Sequence, residues 1–526
     1  MDGSGMEREG LRRRPVGVEP TTAGGHVRVW APGHAGVALV TPKGAEVHLA
    51  PAEEGYFAGW VDGLTDGALY GFRLDGEDVV RPDPASRCQP DGPDGWSRVV
   101  DPGLFPWTDD AWTGVTLPGQ VLYELHIGTF TQAGTWEAAE AELPRLRDLG
   151  VTVIEMMPIA EFSGRFGWGY DAAALFAPSH RYGSPDDLRR FVDRAHTLGL
   201  GVILDVVYNH LGPEGCHITN YAPNFLSEVH GTDWGQGLNF DGPGSKGVRD
   251  FVLANVAHWI EEYHFDGLRL DSTQDIHDAS QEHILSAIAR TARKAAGHRS
   301  VILIAENEPQ EARLLHRPEQ GGFGLDAVWA DDFHHSAIVA LTGHRRAYFR
   351  DYTGGPQELL SAIRRGWLFQ GQRYDWHDKQ RGTSALDLRP ERFVTFLENH
   401  DQIANTGLGQ RLHQRTSPGQ LRALTALLLL GPATPCSSKA RSTQAQPRSG
   451  FLQMSVRTSE RQPVRAVASR WASSPTWRPG RWPSVCQTQR RRRRSKPASS
   501  RPRAHQRRSM PLPSTVTFCG CAARTR

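Results

Sequence analysis

Between residues 121 and 306 the chain repeats one rhythm: a short, nearly continuous apolar run followed by a stretch of helical periodicity. Val121-Leu122-Tyr123-Glu124-Leu125-His126 precedes a helical pattern over 135–149, and the run 151–157 precedes another over 185–198. The runs 201–207, 267–271 and 301–306 continue the series, with helical patterns over 248–263 and 281–296 between them. Strands that are apolar on both faces need cover on both sides, the condition of a parallel sheet wrapped by helices. Further runs at 325–329 and 393–397 extend the count, which favours a (β/α)8 TIM barrel. An open doubly wound sheet is the alternative fold, but no Gly-rich phosphate loop follows the first strand.

The rest of the chain divides around this barrel. Residues 1–18 are polar and arginine-rich and read as a disordered leader without the pattern of a signal peptide. Over 19–82 short alternating runs, among them Val27-Arg28-Val29-Trp30 and Val37-Ala38-Leu39-Val40, predict an immunoglobulin-like β-sandwich of the carbohydrate-binding-module kind. Residues 83–112, rich in Pro and Gly, read as a linker. The barrel would occupy 113–435 and stop short of its eighth unit. No apolar run approaches the roughly 18 residues that cross a bilayer, so no membrane partner is expected. Of six cysteines, only Cys88 and Cys216 precede residue 436. Such sparse use suits a reducing, cytoplasmic setting.

In a barrel the chemistry collects at the C-terminal ends of the strands. Arg269 and Asp271 stand two apart and so share a strand face, where the cation favours an ionised Asp271. Glu306 follows the apolar run 301–305, and partial burial would keep it protonated. Glycoside hydrolysis needs such a pair: one carboxylate attacks the anomeric carbon while a carboxylic acid protonates the leaving oxygen. Asp401 would be a third group supporting the oxocarbenium-like state, with His210 and His400 as neutral hydrogen-bond partners of sugar hydroxyls. Asp205, between apolar residues, reads as a carboxylate locking a neighbouring arginine. Each group alone has an ordinary structural explanation; their joint occurrence at successive strand ends carries the reading.

Asp205-Val206-Val207-Tyr208-Asn209-His210, Gly267-Leu268-Arg269-Leu270-Asp271, Ile304-Ala305-Glu306 and Glu398-Asn399-His400-Asp401 resemble, in order, the four signature regions of the α-amylase family. The resemblance implies a retaining glycoside hydrolase with Asp271 as nucleophile, Glu306 as general acid/base and Asp401 as transition-state stabiliser. Arg269, His210 and His400 would share the same subsite. Finer motifs, Tyr123-Glu124-Leu125-His126-Ile127-Gly128-Thr129-Phe130-Thr131, Gly167-Trp168-Gly169-Tyr170-Asp171 and Asn399-His400-Asp401-Gln402, resemble the malto-oligosyltrehalose trehalohydrolase branch. That branch implies cleavage of the α-1,4 bond next to a terminal trehalose, on malto-oligosyltrehalose or a related α-1,4-glucan, in functional pairing with a malto-oligosyltrehalose synthase. Tyr170 would be the aromatic platform, and Trp168, Asp205, Asn209 and Gln402 would line the sugar site. No cofactor and no metal ligand is implied. A glucan branching enzyme is the nearest competitor; Gln402 after His-Asp, where an acidic residue would be expected, argues against it.

From residue 436 the composition changes abruptly. Cys436 to Arg526 holds 21 Lys and Arg against one acidic residue, Glu460, whereas the preceding 435 residues hold 39 basic and 57 acidic groups. Apolar periodicity ends, and Arg490 to Arg494 form an unbroken run. Three readings are open: a disordered basic tail, a nucleic-acid-binding arm, or a one-base frame break at the Pro435 codon. The frame break is favoured and nucleic acid is the poorer expectation. One added base turns codons for Cys-Ser-Ser-Lys-Ala-Arg-Ser into Met-Leu-Phe-Gln-Gly-Gln-Glu, an apolar eighth strand resembling the family's own. A chain so interrupted is expected to leave its barrel open and to be weakly active. An inactive glucan-binding protein is the alternative of another class.

Overall fold

The computed structural model describes residues 12, 14–406 and 409–438. Most of the expected leader, and the tail from residue 439 onward, lie outside the described residues. Eight parallel strands form a closed barrel: β1 (Leu122–Leu125), β2 (Val153–Met156), β3 (Gly201–Val206), β4 (Gly267–Leu270), β5 (Ile302–Ala305), β6 (Ala327–Trp329), β7 (Phe393–Thr395) and β8 (Thr434–Ser438). Helices between them include α1 (Leu143–Leu149), α2 (Pro185–Thr197), α3 (Ser245–Glu262), α4 (Ile284–Ala295), α5 (Asp331–Thr342), α6 (His400–Asn405) and α7 (Pro418–Leu430). The start of α2 shows the local logic. Ser184 and Asp187 form a reciprocal capping box, Pro185 occupies the first turn, and Leu188, Phe191, Val192 and Ala195 bury one face.

The expectation of a barrel lacking its eighth unit is corrected for the strand. β8 pairs with β1 through Leu122↔Cys436, Tyr123↔Ser437 and Glu124↔Ser438, and with β7 through Val394↔Thr434 and Thr395↔Pro435. A ladder is made of backbone groups, so a strand of small residues closes it as well as an apolar one. What the polar residues forgo is packing. The hydroxyls of Ser438 and Thr395 and one carboxylate oxygen of Glu155 are buried without a hydrogen bond. Each such group costs about 1–3 kcal/mol.

Inside the barrel, Leu122, Val153, Ile203, Ile302, Val394 and Cys436 pack into one apolar cluster. Two residues further along four of the strands stand Glu124, Glu155, Asp205 and Arg269's neighbours in register: Glu124 opposite Glu155, and Asp205 opposite Arg269. The alternation of the strands thus stacks a charged layer on an apolar one. Gly267 opens β4 with φ at +150°, and a Cβ there would lie 1.8 Å from the Ile302 carbonyl oxygen, so only glycine fits.

Ahead of the barrel lie two antiparallel sheets. One orders Gly17–Pro20, Gly24–Trp30, Tyr56–Asp62 and Ala50–Pro51; the other orders Glu46–His48, Val37–Val40, Leu69–Leu74 and Val80–Arg81. Val18, Val27, Val29, Phe57 and Val61 of the first share a core with Val37, Leu39, Tyr70 and Phe72 of the second. Two expected boundaries shift. The strand Gly17–Pro20 begins within the stretch read as leader, because Val16 and Val18 are buried. Ser97–Arg98, within the stretch read as linker, pairs with Leu69–Leu74. Trp30 carries this unit onto the barrel: it packs edge-on against Phe225 and over α3, where a Cβ at Gly247 would fall 2.1 Å from the indole. Gly247→Ala is therefore expected to displace Trp30 and lower unfolding stability by about 1–3 kcal/mol, read as a shift in the urea midpoint.

Candidate active site

Arg269 is the centre of the site. Wholly buried on β4, it lies 4.2 Å from the centroid of the Trp329 ring and meets three carboxylates. Its Nη1 donates to both oxygens of Asp205 at 2.9 and 2.8 Å and to Asp271 Oδ1 at 2.7 Å. Its Nη2 stands 2.9 Å from Glu306 Oε2 as an ion pair. The strands explain the convergence: Asp205 ends β3, Asp271 follows β4 and Glu306 follows β5, three neighbours in the barrel.

Asp271 is held on its other side as well. Asn209 Nδ2 donates to Asp271 Oδ2 at 2.8 Å and to its carbonyl at 3.0 Å. Both carboxylate oxygens thus accept from fixed donors. Glu306 accepts from the Ser272 backbone N–H at 3.0 Å, and its side chain is 24 % exposed. Ser272, between the two carboxylates, adopts a left-handed conformation with φ at +43°. A non-glycine residue held there carries local strain of about 1–3 kcal/mol. Burial lifts the Glu306 pKa above the usual carboxylate range, Arg269 opposing and Asp271 adding. Burial also pushes Asp205 up to about 7, against Arg269. One guanidinium therefore serves three acids whose environments differ.

Around this cluster lies a ring of aromatic and imidazole groups. Tyr170 donates its hydroxyl to Asp205 Oδ2 at 2.6 Å and stacks on His400, the centroids 5.0 Å apart. Trp168 meets His400 edge-on at 5.3 Å. His400 Nδ1 is 2.6 Å from Glu124 Oε1, and its Nε2 is 3.5 Å from Asp401 Oδ1. Burial works to lower the His400 pKa, but Asp401 and Glu124 outweigh it and lift it to about 10. The expected neutral imidazole is here a cation, because each ring nitrogen faces a carboxylate. His210 differs: burial lowers its pKa, its Nδ1 bonds Asn209 Oδ1, and its Nε2 is buried without a well-formed hydrogen bond. A ring whose pKa is lowered, with a buried nitrogen lacking a well-formed hydrogen bond, can receive a sugar hydroxyl.

Asp401 sits in the first turn of α6 with 45 % of its side chain exposed, the most open of the three assigned carboxylates. Gln402 accepts the Asn399 backbone N–H at 2.8 Å, closing a capping box, so its carbonyl is already engaged in starting the helix. Two groups escaped the sequence reading. Glu124 pins His400, and Glu155 beside it is pushed by burial and by Glu124 up to about 8. Both were visible as acids inside apolar runs, but nothing in those runs said what they face.

Residues 106–234 match the Alpha-amylase family, in its catalytic domain, the class that the closed barrel and the carboxylates around Arg269 also define. Among curated relatives, the malto-oligosyltrehalose trehalohydrolase of Saccharolobus solfataricus is 41 % identical over 77 % of this chain and 71 % of its own length. That of Deinococcus radiodurans is 45 % identical over 70 % of this chain, and the match spans 60 % of the relative's length. Among solved structures, one provisionally assigned as an alpha amylase from Salmonella typhimurium superposes with a TM-score of 0.77 at 38 % identity, covering 81 % of this chain and 73 % of that one. The chain belongs to the malto-oligosyltrehalose trehalohydrolase family.

Proposed function

We propose that the chain is a retaining glycoside hydrolase that cuts the α-1,4 bond next to the terminal trehalose of malto-oligosyltrehalose and releases trehalose. The observation that carries this reading is the single buried guanidinium bridging Asp271 and Glu306. Two carboxyls on one guanidinium suit the short separation of retaining pairs, about 5–5.5 Å, better than the wider gap of inverting ones. Asp271, fixed by Arg269 and Asn209, would attack the anomeric carbon as the glycosidic C–O bond breaks. Glu306, its pKa raised, would give its proton to the departing trehalose oxygen. It would then take a proton from the water that hydrolyses the glycosyl ester, freeing Asp271. Protonated His400 and Asp401 would hold sugar hydroxyls at the rim, with Tyr170 and Trp168 packing behind. The substrate would come from a malto-oligosyltrehalose synthase acting on the same glucan, in the cytoplasm.

The frame break belongs to the same reading. It is supported by the jump in charge at residue 436 and by a last barrel strand that, past that point, buries Cys436 and Ser438 where larger apolar residues would pack. The expected result is that the register-restored product releases trehalose from malto-oligosyltrehalose, while the 526-residue chain is less stable and weakly active. Sequencing across the Pro435 codon, together with trehalose assays of both products, checks it. An intact frame, or equal turnover of the two, would remove the frame break. Transfer of glucan chains without trehalose release would favour a branching enzyme instead.

A further inference from the structure

Both carboxylate oxygens of Glu124 go to one residue of the site. Oε1 lies 2.6 Å from His400 Nδ1, and Oε2 accepts the His400 backbone N–H at 3.2 Å. The pair joins β1 to the loop after β7 across the closing strand β8, which lies between those two strands in the barrel. Glu124 is 3 % exposed and stands opposite a second buried acid, Glu155, on β2. Packing alone would place an aliphatic side chain there, since burying two neighbouring carboxyl groups is unfavourable.

The surroundings of His400 leave its ring one orientation. Tyr170, stacked on a face, and Trp168, at an edge, hold the plane of the imidazole, while Glu124 fixes its rotation within that plane. With Nδ1 and the backbone N–H both committed to Glu124, Nε2 is the nitrogen left to the substrate side, 3.5 Å from Asp401 Oδ1. Of the other charges acting on the ring, Asp401 favours its protonation and Arg269 opposes it. Glu124 in turn acts on Glu155, Arg411 and the Cys436 thiol.

We infer that Glu124 is a positioning residue for the glycosidic reaction, holding His400 by ring and backbone so that its Nε2–H points at Asp401 and at a glucosyl hydroxyl held by both. This rests on the proposed cleavage by Asp271 and Glu306, and Glu124 itself would touch no substrate atom. Glu124→Gln keeps the length of the side chain and removes its charge. On malto-oligosyltrehalose it should lower kcat about ten- to a hundredfold, the scale of one hydrogen bond to a charged group, with little change in KM. The loss should vanish when His400→Gln is already present, because Glu124 acts through that ring; a role in packing alone would add its cost in both backgrounds. A second reading needs no turnover. In ¹⁵N NMR of histidine-labelled protein, with the His400 signals identified by their absence in His400→Gln, the ring should stay protonated into alkaline pH in the parent and titrate at distinctly lower pH in Glu124→Gln. Should Glu124→Gln not fold, Glu124→Asp, which draws the carboxylate back by one methylene, is read by the same cycle. Unchanged kcat, an equal loss with and without His400, or an unmoved His400 titration overturns the inference. A moved titration in a parent that releases no trehalose would uphold Glu124 as the group that positions His400 and remove the proposed reaction.

Discussion

Asp271→Asn is expected to lower turnover by about 10⁴-fold while the protein remains folded. The amide keeps the shape of the carboxylate but cannot attack an anomeric carbon. It also faces donors on both sides, Arg269 Nη1 and Asn209 Nδ2, so its own NH2 meets one of them head-on. A stability loss of about 1 kcal/mol should accompany the lost activity, far too small to explain it. Rapid-quench turnover and a urea curve separate the two. With Asp271→Ala, added azide should return measurable turnover by taking the vacated position. Activity within tenfold of the parent would remove Asp271 as nucleophile. The partner acid has its own signature. In the proposed bond-breaking step Glu306 must start protonated, and burial raises its pKa, so activity should fall as pH rises through that raised value. Glu306→Gln should lose about 10²–10⁴-fold on the natural linkage and much less on an aryl glycoside whose leaving group needs no proton.

Arg269→Met is expected to cost about 3–5 kcal/mol of stability and all measurable activity. The arginine is wholly buried, and its removal leaves Asp205, Asp271 and Glu306 facing one another without a cation. Asp205 and Glu306, whose pKa values burial already raises, can relieve the repulsion by taking up protons, which raises those values further. The sign follows: a carboxyl with a raised folded pKa binds more protons folded than unfolded, so stability declines as pH climbs from the unfolded value through the folded one. The deficit of the variant should be modest near pH 5 and largest near pH 8. Urea unfolding at the two pH values reads it. A deficit independent of pH would mean that Arg269 matters for packing on Trp329 more than for charge. Arg269→Lys should not rescue, since a single ammonium cannot present two nitrogens to three carboxylates.

Much of this was legible before any coordinates. Period-two and period-3.6 patterns are set by local backbone geometry, so β1 to β7 and the helices between β1 and β5 could be read off the chain. The order of Asp205, Arg269, Asp271, Glu306 and Asp401 along it was enough to propose a chemistry. The eighth strand was read wrongly because its side chains are polar, and closure turned on backbone pairing with β1 and β7, which no side-chain pattern reports. The boundaries at Gly17 and Ser97 were hidden for the same reason: short edge strands owe their place to partners far away in sequence.

The sequence by itself determined that Asp205, Asp271 and Glu306 stand at the ends of successive strands, though not that Glu124 and Glu155 join them. Only the tertiary structure decided their protonation. His400 is a cation because Glu124, 276 positions earlier, reaches its Nδ1; His210, of the same residue type, is driven neutral by burial. Charge and hydrogen bonding act through space over a few ångströms, and in a closed barrel those ångströms join residues that the chain keeps hundreds of positions apart.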